Sequence, residues 1–263
     1  MSEDRPVAPR LLLAALLAGT TVLPAQDRTS PLESGDVREL VLGSPAGTRV
    51  EHFRLDLEGD PADGAPMGVL RWVSGTWVED GVPRGLRLET QTIFFAAGAR
   101  VIHTEVLSRD ERKLVYREVR PGGGRTLVLE WPAGGEPRVL ETSGGRVQRH
   151  LVETARGMFL PLALVEEARR GAVLAGPLSV FSPLAAAAEP LVVDCRDVAG
   201  ADPGRRELTL SRAGGVFAGS FTFAGDSLAR FQWQKGGVQA RPISAADHEL
   251  WRRRPPVDHG TGE

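Results

Sequence analysis

Apolar residues recur along most of this chain in short runs that alternate with polar positions, and Gly, Pro and Asp break the runs at close intervals. The runs fall at 37–42, 49–57, 67–78, 86–95, 100–107, 113–119, 125–131, 138–142 and 146–153. Alternation with a period of two predicts half-buried strands. The breaks Glu79-Asp80-Gly81, Ala97-Gly98, Arg109-Asp110-Glu111, Gly122-Gly123-Gly124 and Ser143-Gly144-Gly145 each suit a hairpin turn. Strands at this spacing with no helix between them predict an antiparallel meander rather than βαβ units.

Helices are expected late in the chain. The segment 158–170 carries Pro161 early, Arg169 and Arg170 late and Gly171 just beyond, the order that helix termini favour. Its first two turns are apolar all round, which predicts burial against the sheet. A shorter helix is expected over 183–189, between Ser182 and Pro190, and a last one over 245–252 with Ser244 as its cap and Asp247 three residues on. Further strands are expected at 191–198, 207–211, 216–223, 228–234 and 237–243. In the hairpin that turns at Gly225-Asp226, the period of two puts Phe217, Phe221 and Phe223 on one face, and Phe231 and Trp233 on one face of the return strand. The fold class is therefore mainly β (α+β), a curved antiparallel sheet or incomplete barrel with one main helix packed on or into it.

The first residues bear on compartment. Arg5 and Arg10 precede an apolar run at 11–23, and Pro24-Ala25 follows it, the pattern of a secretory signal peptide cleaved after Ala25. The run is shorter than the ~20 residues needed to cross a bilayer. Residues 26–36 read as a flexible leader, 37–253 as a single β-rich domain and 254–263 as a disordered tail. The expected product is exported, periplasmic or extracellular, with no transmembrane segment after signal removal. Cys195 is the sole cysteine, so no disulfide forms within the chain and stability must come from a hydrophobic core. In a strand, its thiol is expected to be packed.

The net charge of -2 offers no basic surplus for phosphate, which argues against a nucleic-acid partner. Lys113 and Lys235 are the two lysines among 32 basic residues, a bias that reflects genome composition more readily than function. No nucleophile elbow, P-loop, zincin or paired-cysteine motif is present. His103 and Glu105, two apart on one strand, share a face that is expected to be solvated, and His150 meets them only if the sheet curls. His248 is expected on the exposed side of the last helix. Asp194, Arg196 and Asp197 read as a local ion-pair knot, and Arg252-Arg253-Arg254 as a solvated end. No catalytic residue, metal or cofactor is assigned.

The most suggestive feature is apolar. Phe217, Phe221, Phe223, Phe231 and Trp233, with Phe159 and Leu162 of the main helix, are the expected ligand-binding residues. A cleft between helix and sheet would gain about 0.8 kcal/mol for each methylene of a buried acyl chain. The meander at 67–142, MFLPLALVEEARRG at 158–171 and VFAGSFTFAGDSLARFQWQ at 216–234 together resemble the periplasmic lipoprotein-carrier fold and related envelope proteins. That resemblance is one of architecture. It implies a half-open antiparallel barrel with helices in its mouth and an acyl chain on the concave face, and it assigns no individual residue. The function expected is a non-enzymatic envelope protein binding a lipid or another envelope protein. The alternatives are a hydrolase acting on envelope material and a structural module with a filled core.

Overall fold

The computed structural model describes residues 48–60, 64–79, 81–152, 158–198, 204–233 and 237–253. The expected signal peptide, the leader, the strand expected at 37–42 and the tail lie outside the described residues.

Fourteen strands form one antiparallel sheet that does not close into a barrel. They are β1 (Arg49–Leu57), β2 (Gly68–Glu79), β3 (Val82–Phe94), β4 (Ala99–Ser108), β5 (Glu111–Arg120), β6 (Gly123–Pro132), β7 (Arg138–Ser143), β8 (Arg146–Leu151), β9 (Ala175–Ser182), β10 (Ala187–Asp197), β11 (Arg205–Ser211), β12 (Phe217–Ala224), β13 (Ser227–Trp233) and β14 (Val238–Pro242). The spatial order runs from β8 back to β1, then to β14 and back to β9. Two meanders are thus joined where β1 pairs with β14, with Phe53 opposite Pro242 and Leu57 opposite Val238. Helix α1 (Pro161–Arg169) lies in the connection between the two edge strands, and helix α2 (Ala245–Arg252) follows β14.

Turn chemistry sets the register. Gly144 and Gly145, between β7 and β8, have φ of 56° and 75°, the two positive values that a tight two-residue hairpin requires. Elsewhere glycine permits close approach of strands. A Cβ on Gly85 would collide with the carbonyl oxygen of Leu107 on β4, and one on Gly68 with that of Ile93 on β3. Register shifts at Leu210/Ser211 and Thr222/Phe223 mark irregular pairing of β12 with both of its neighbours, and such bulges bend a sheet.

The sheet curves around α1. Side chains from β1, β4 and β11 all reach this helix: Arg169 bonds Glu51, Leu162 bonds Glu105, and Arg206 donates to the Ala168 carbonyl. Farther round, Arg125 of β6 donates to the Leu184 carbonyl in the turn after β9, which draws the two halves together. One continuous core fills the curve, built from Phe53, Leu55, Leu70, Leu88, Leu114, Leu127, Leu129, Val193, Leu208 and Phe223 of the sheet and Leu162, Leu164 and Ala168 of α1.

One expected element needs correction, and one strand has to be added. Residues 183–189 are not helical: Leu184-Ala185-Ala186 turn tightly, with Ala186 at φ 52°, and β10 begins at Ala187. Pro190 is accommodated because Cys195 N–H donates to Leu174 on the β9 side, and strand alternation then points Pro190 the other way. Pairing with β11 begins only at Val192, so the missing N–H breaks no ladder there. Strand β9 was not expected, since Gly176 and Pro177 interrupt its apolar pattern. Both residues suit an edge strand.

Candidate functional site

The concave face holds the residues expected to bind ligand, but not as one open wall. Phe221, Phe223 and Phe231 are buried; Phe217 and Phe159 are half-buried, and Trp233 is 38% exposed. Phe231 forms the centre, with ring centroids 5.4 Å from Phe53, 5.7 Å from Phe221 and 4.5 Å from Trp233. The irregular pairing of β12 carries Phe217 out of step with Phe221 and Phe223. Leu162 is buried in the same core cluster, under the helix rather than on an open ledge.

Charged groups hold α1 in this apolar setting. Leu160, at its N-cap, offers no side-chain acceptor, so the first amides need partners from elsewhere. Glu105 supplies them: its two carboxylate oxygens accept from Leu162 N–H and Ala163 N–H, each at 2.8 Å, and the residue is 0% exposed. His103 Nε2 lies 2.9 Å from Glu105 Oε1, a close approach whose alignment does not make a hydrogen bond. The expectation that His103 and Glu105 face solvent is therefore overturned. The sheet curls enough to turn their face inward, and a helix N-terminus gives the carboxylate a favourable site there.

At the other end of α1, Arg169 is equally enclosed. Its Nη2 is 2.7 Å from Glu51 Oε2, its Nη1 is 3.6 Å from Glu166 Oε2, and its guanidinium lies 5.7 Å from the Trp72 ring centroid. Nε and Nη1 of Arg169 make no hydrogen bond, and Glu166 Oε2 accepts none. Glu51 also accepts from Leu228 N–H, tying β13 to the same point. Cross-strand register places Glu51, Trp72, Thr90, His103 and Tyr116 in one row along the inner face. Burial, and secondarily the charge of Glu118, pushes the Tyr116 hydroxyl up to about 12.

His150 does not join His103. It bonds Glu141 at 2.8 Å, and Glu141 also pairs with Arg125 at 2.6 Å, so this contact joins β8 to β7 while that of His103 with Glu105 lies within β4. Cys195 is half-buried against the core, and burial raises its thiol pKa. Arg196 pairs loosely with Asp194 at 3.8 Å, and Asp197 pairs with Arg206 at 3.5 Å. Among the described residues no group of three or more His, Cys, Asp or Glu is placed to hold a metal ion. No helix among them is long and apolar enough to cross a membrane.

A second constellation lies on the convex face, where sequence reasoning assigned nothing. Strand alternation turns His52 away from the core that holds Phe53, and His52 sits directly opposite Arg71, which sits opposite Gln91. Helix α2 folds back over this row. Its Ser244 cap accepts from Asp247 N–H, as expected, but His248 is buried rather than exposed. Its ring centroid lies 4.8 Å from that of His52, while Trp251 stacks on Phe95 at 6.4 Å. The i, i+3 spacing of His248 and Trp251 was the available signal for a buried helix face.

No known family model, curated protein or solved structure matches this chain. Its chemistry has to be read from its own side chains.

Proposed function

We propose that this chain is an exported, non-enzymatic envelope protein that binds an acyl-chain ligand in the curve of its sheet, in the manner of the lipoprotein-carrier-like proteins that it resembles. One observation carries the reading: the apolar interior is occupied by a single nine-residue helix that polar contacts hold at both ends. An apolar plug secured by ionic anchors can leave as a unit. Glu51, Glu105 and Arg169 would then be re-solvated while Phe53, Phe221, Phe223 and Phe231 line the vacated space. Unbonded buried donors on Arg169 support the idea, because each such group costs about 1–3 kcal/mol in the closed state. The ligand would replace α1 against the aromatic wall, with Phe159 and Leu162 moving out to meet it.

A second reading, a structural module with a filled core, is favoured by the near-complete burial of Leu162, Leu164, Val165 and Ala168. One experiment separates the two. Solvent extraction of the purified protein, read by mass spectrometry, is expected to release acyl lipid. Addition of phospholipid to the delipidated protein is expected to speed hydrogen exchange of the α1 amides. No extracted lipid and unchanged α1 exchange would overturn the binding reading in favour of the module.

A further inference from the structure

The convex face carries a cleft with a chemistry of its own, and it lies on the side of the sheet away from the proposed acyl site. The cleft, of about 300 Å³, is lined by His52, Arg71, Gln91, Arg100, His248 and Arg252. That volume stands at the lower end of the roughly 300–1,000 Å³ typical of small-ligand sites. Three guanidinium groups face it against one carboxylate, Glu249, which is already engaged: Arg252 donates to it twice at 2.7 Å and Arg253 once at 2.7 Å. Arg71 has no hydrogen bond or ion pair with any described residue, and Arg100 makes only a long 3.5 Å contact with Gln91. Two cations therefore enter the cleft without a counter-charge.

The histidines sharpen this picture. Burial and the neighbouring Arg71 hold His52 below its usual value. Burial and the neighbouring His52 bring His248 down to about 4, with lesser contributions from the guanidinium groups of Arg252 and Arg71, against an opposing pull from Glu249. Both rings are neutral at pH 7 in the free protein, so each can offer one N–H or take up a proton when negative charge arrives. Gln91 donates its amide NH₂ to Glu89 at 2.7 Å and turns its oxygen towards Arg100. Convergent guanidinium forks and imidazoles recognise tetrahedral oxyanions with planar, charge-assisted hydrogen bonds.

We infer that the cleft between α2 and strands β1–β4 is a binding site for a phosphate-type oxyanion, held chiefly by Arg71 and Arg100 with His52 and His248 as auxiliary donors. The ion is either free in solution or the headgroup of an anionic lipid. Sulfate, a dianion throughout the neutral range, separates the protonation of the site from that of the ligand. Affinity for sulfate is expected to rise as the pH falls from 8 to 6, because the bound charge draws protons onto His52 and His248.

The test is calorimetric titration of the full chain with inorganic phosphate and with sulfate at constant ionic strength, alongside imidazole resonances recorded by NMR. Wild type is expected to bind, with His52 and His248 shifting while His103 and His150 do not. Arg71→Gln and, separately, Arg100→Gln should each weaken binding about tenfold or more, the loss of a charge-assisted contact. Arg149→Gln on the exposed edge strand β8 should change it less than about twofold. Vesicles of phosphatidylcholine containing phosphatidic acid identify the source: capture that Arg71→Gln abolishes assigns the oxyanion to a lipid headgroup, and binding of free phosphate without vesicle capture assigns it to a soluble ion. Absence of binding, or equal affinity in wild type and both arginine variants, would overturn the inference.

Discussion

Glu105 accepts the Leu162 amide at 2.8 Å across 57 positions of sequence, and in doing so a strand supplies the cap that the helix lacks. The same carboxylate takes the Ala163 amide, so one side chain satisfies two of the three orphan donors at the start of α1, Pro161 having no N–H. Glu105→Ala is expected to lower unfolding free energy by about 3 kcal/mol, since two buried amides lose charged acceptors at once. Glu105→Gln should cost less, because its amide oxygen can serve one N–H while its NH₂ opposes the other. Urea unfolding of both variants checks the order. Equal stability of wild type and Glu105→Ala would show that the contact does not anchor the helix.

This contact also marks where sequence reading stops. The runs around Arg49, Arg100 and Arg125 announce β1, β4 and β6 through alternation and turn glycines, which are local properties. The side on which His103 and Glu105 lie is not local. Their strand could present them to water or to the interior, and only the curvature of the whole sheet decides. The concealed strand β9 has a similar cause: Gly176 and Pro177 weaken the pattern, yet an edge strand tolerates both. The run Leu184–Ala188 has high helix propensity, but the ladder with β9 overrides it from Ala187 onward. His52, Arg71 and His248 are remote in sequence, and only cross-strand register and the return of α2 bring them together.

Arg169 presents a buried charge with an incomplete set of partners. Removing one member of such a pair leaves the other uncompensated, whereas removing both can be nearly neutral. Arg169→Met is therefore expected to destabilise by about 3 kcal/mol. Adding Glu51→Gln to it should recover part of that loss. The recovery is limited because Glu51 also serves Leu228 N–H. A double-mutant cycle from chemical denaturation measures the coupling, and strictly additive costs would mean that the two side chains do not act as a pair.

Gly85 tests the strand geometry directly. Its backbone is in an ordinary extended conformation, so the need for glycine is steric: an added Cβ meets the backbone carbonyl of Leu107 on β4, which cannot rotate aside. Gly85→Ala is expected to cost about 1–3 kcal/mol, the usual range for forced overpacking. Gly81, which lies in the preceding turn with open space around it, has a φ of 76° and should tolerate Asn better than Ala. Thermal denaturation of Gly85→Ala, Gly81→Asn and Gly81→Ala ranks the two effects, and a wild-type melting temperature for Gly85→Ala would contradict the close approach.

The pH dependence of stability should bear the mark of His248. Its folded-state value, about 4, lies below the 6.5 of an unhindered histidine, so the unfolded chain binds more protons between those limits. Stability from this group is fully present above about pH 6.5 and is lost progressively as the pH falls towards 4. His52, lowered by burial and by Arg71, acts in the same direction. The groups that face His248 are His52, Arg71, Arg252 and Glu249, and of these only the last opposes the shift. Urea midpoints at pH 7, 5.5 and 4.5 in phosphate-free buffer should fall more steeply for wild type than for His248→Asn, which cannot take up the proton. Parallel profiles for the two proteins would mean that His248 titrates as an ordinary surface imidazole, and α2 could not then be packed on the convex face as described.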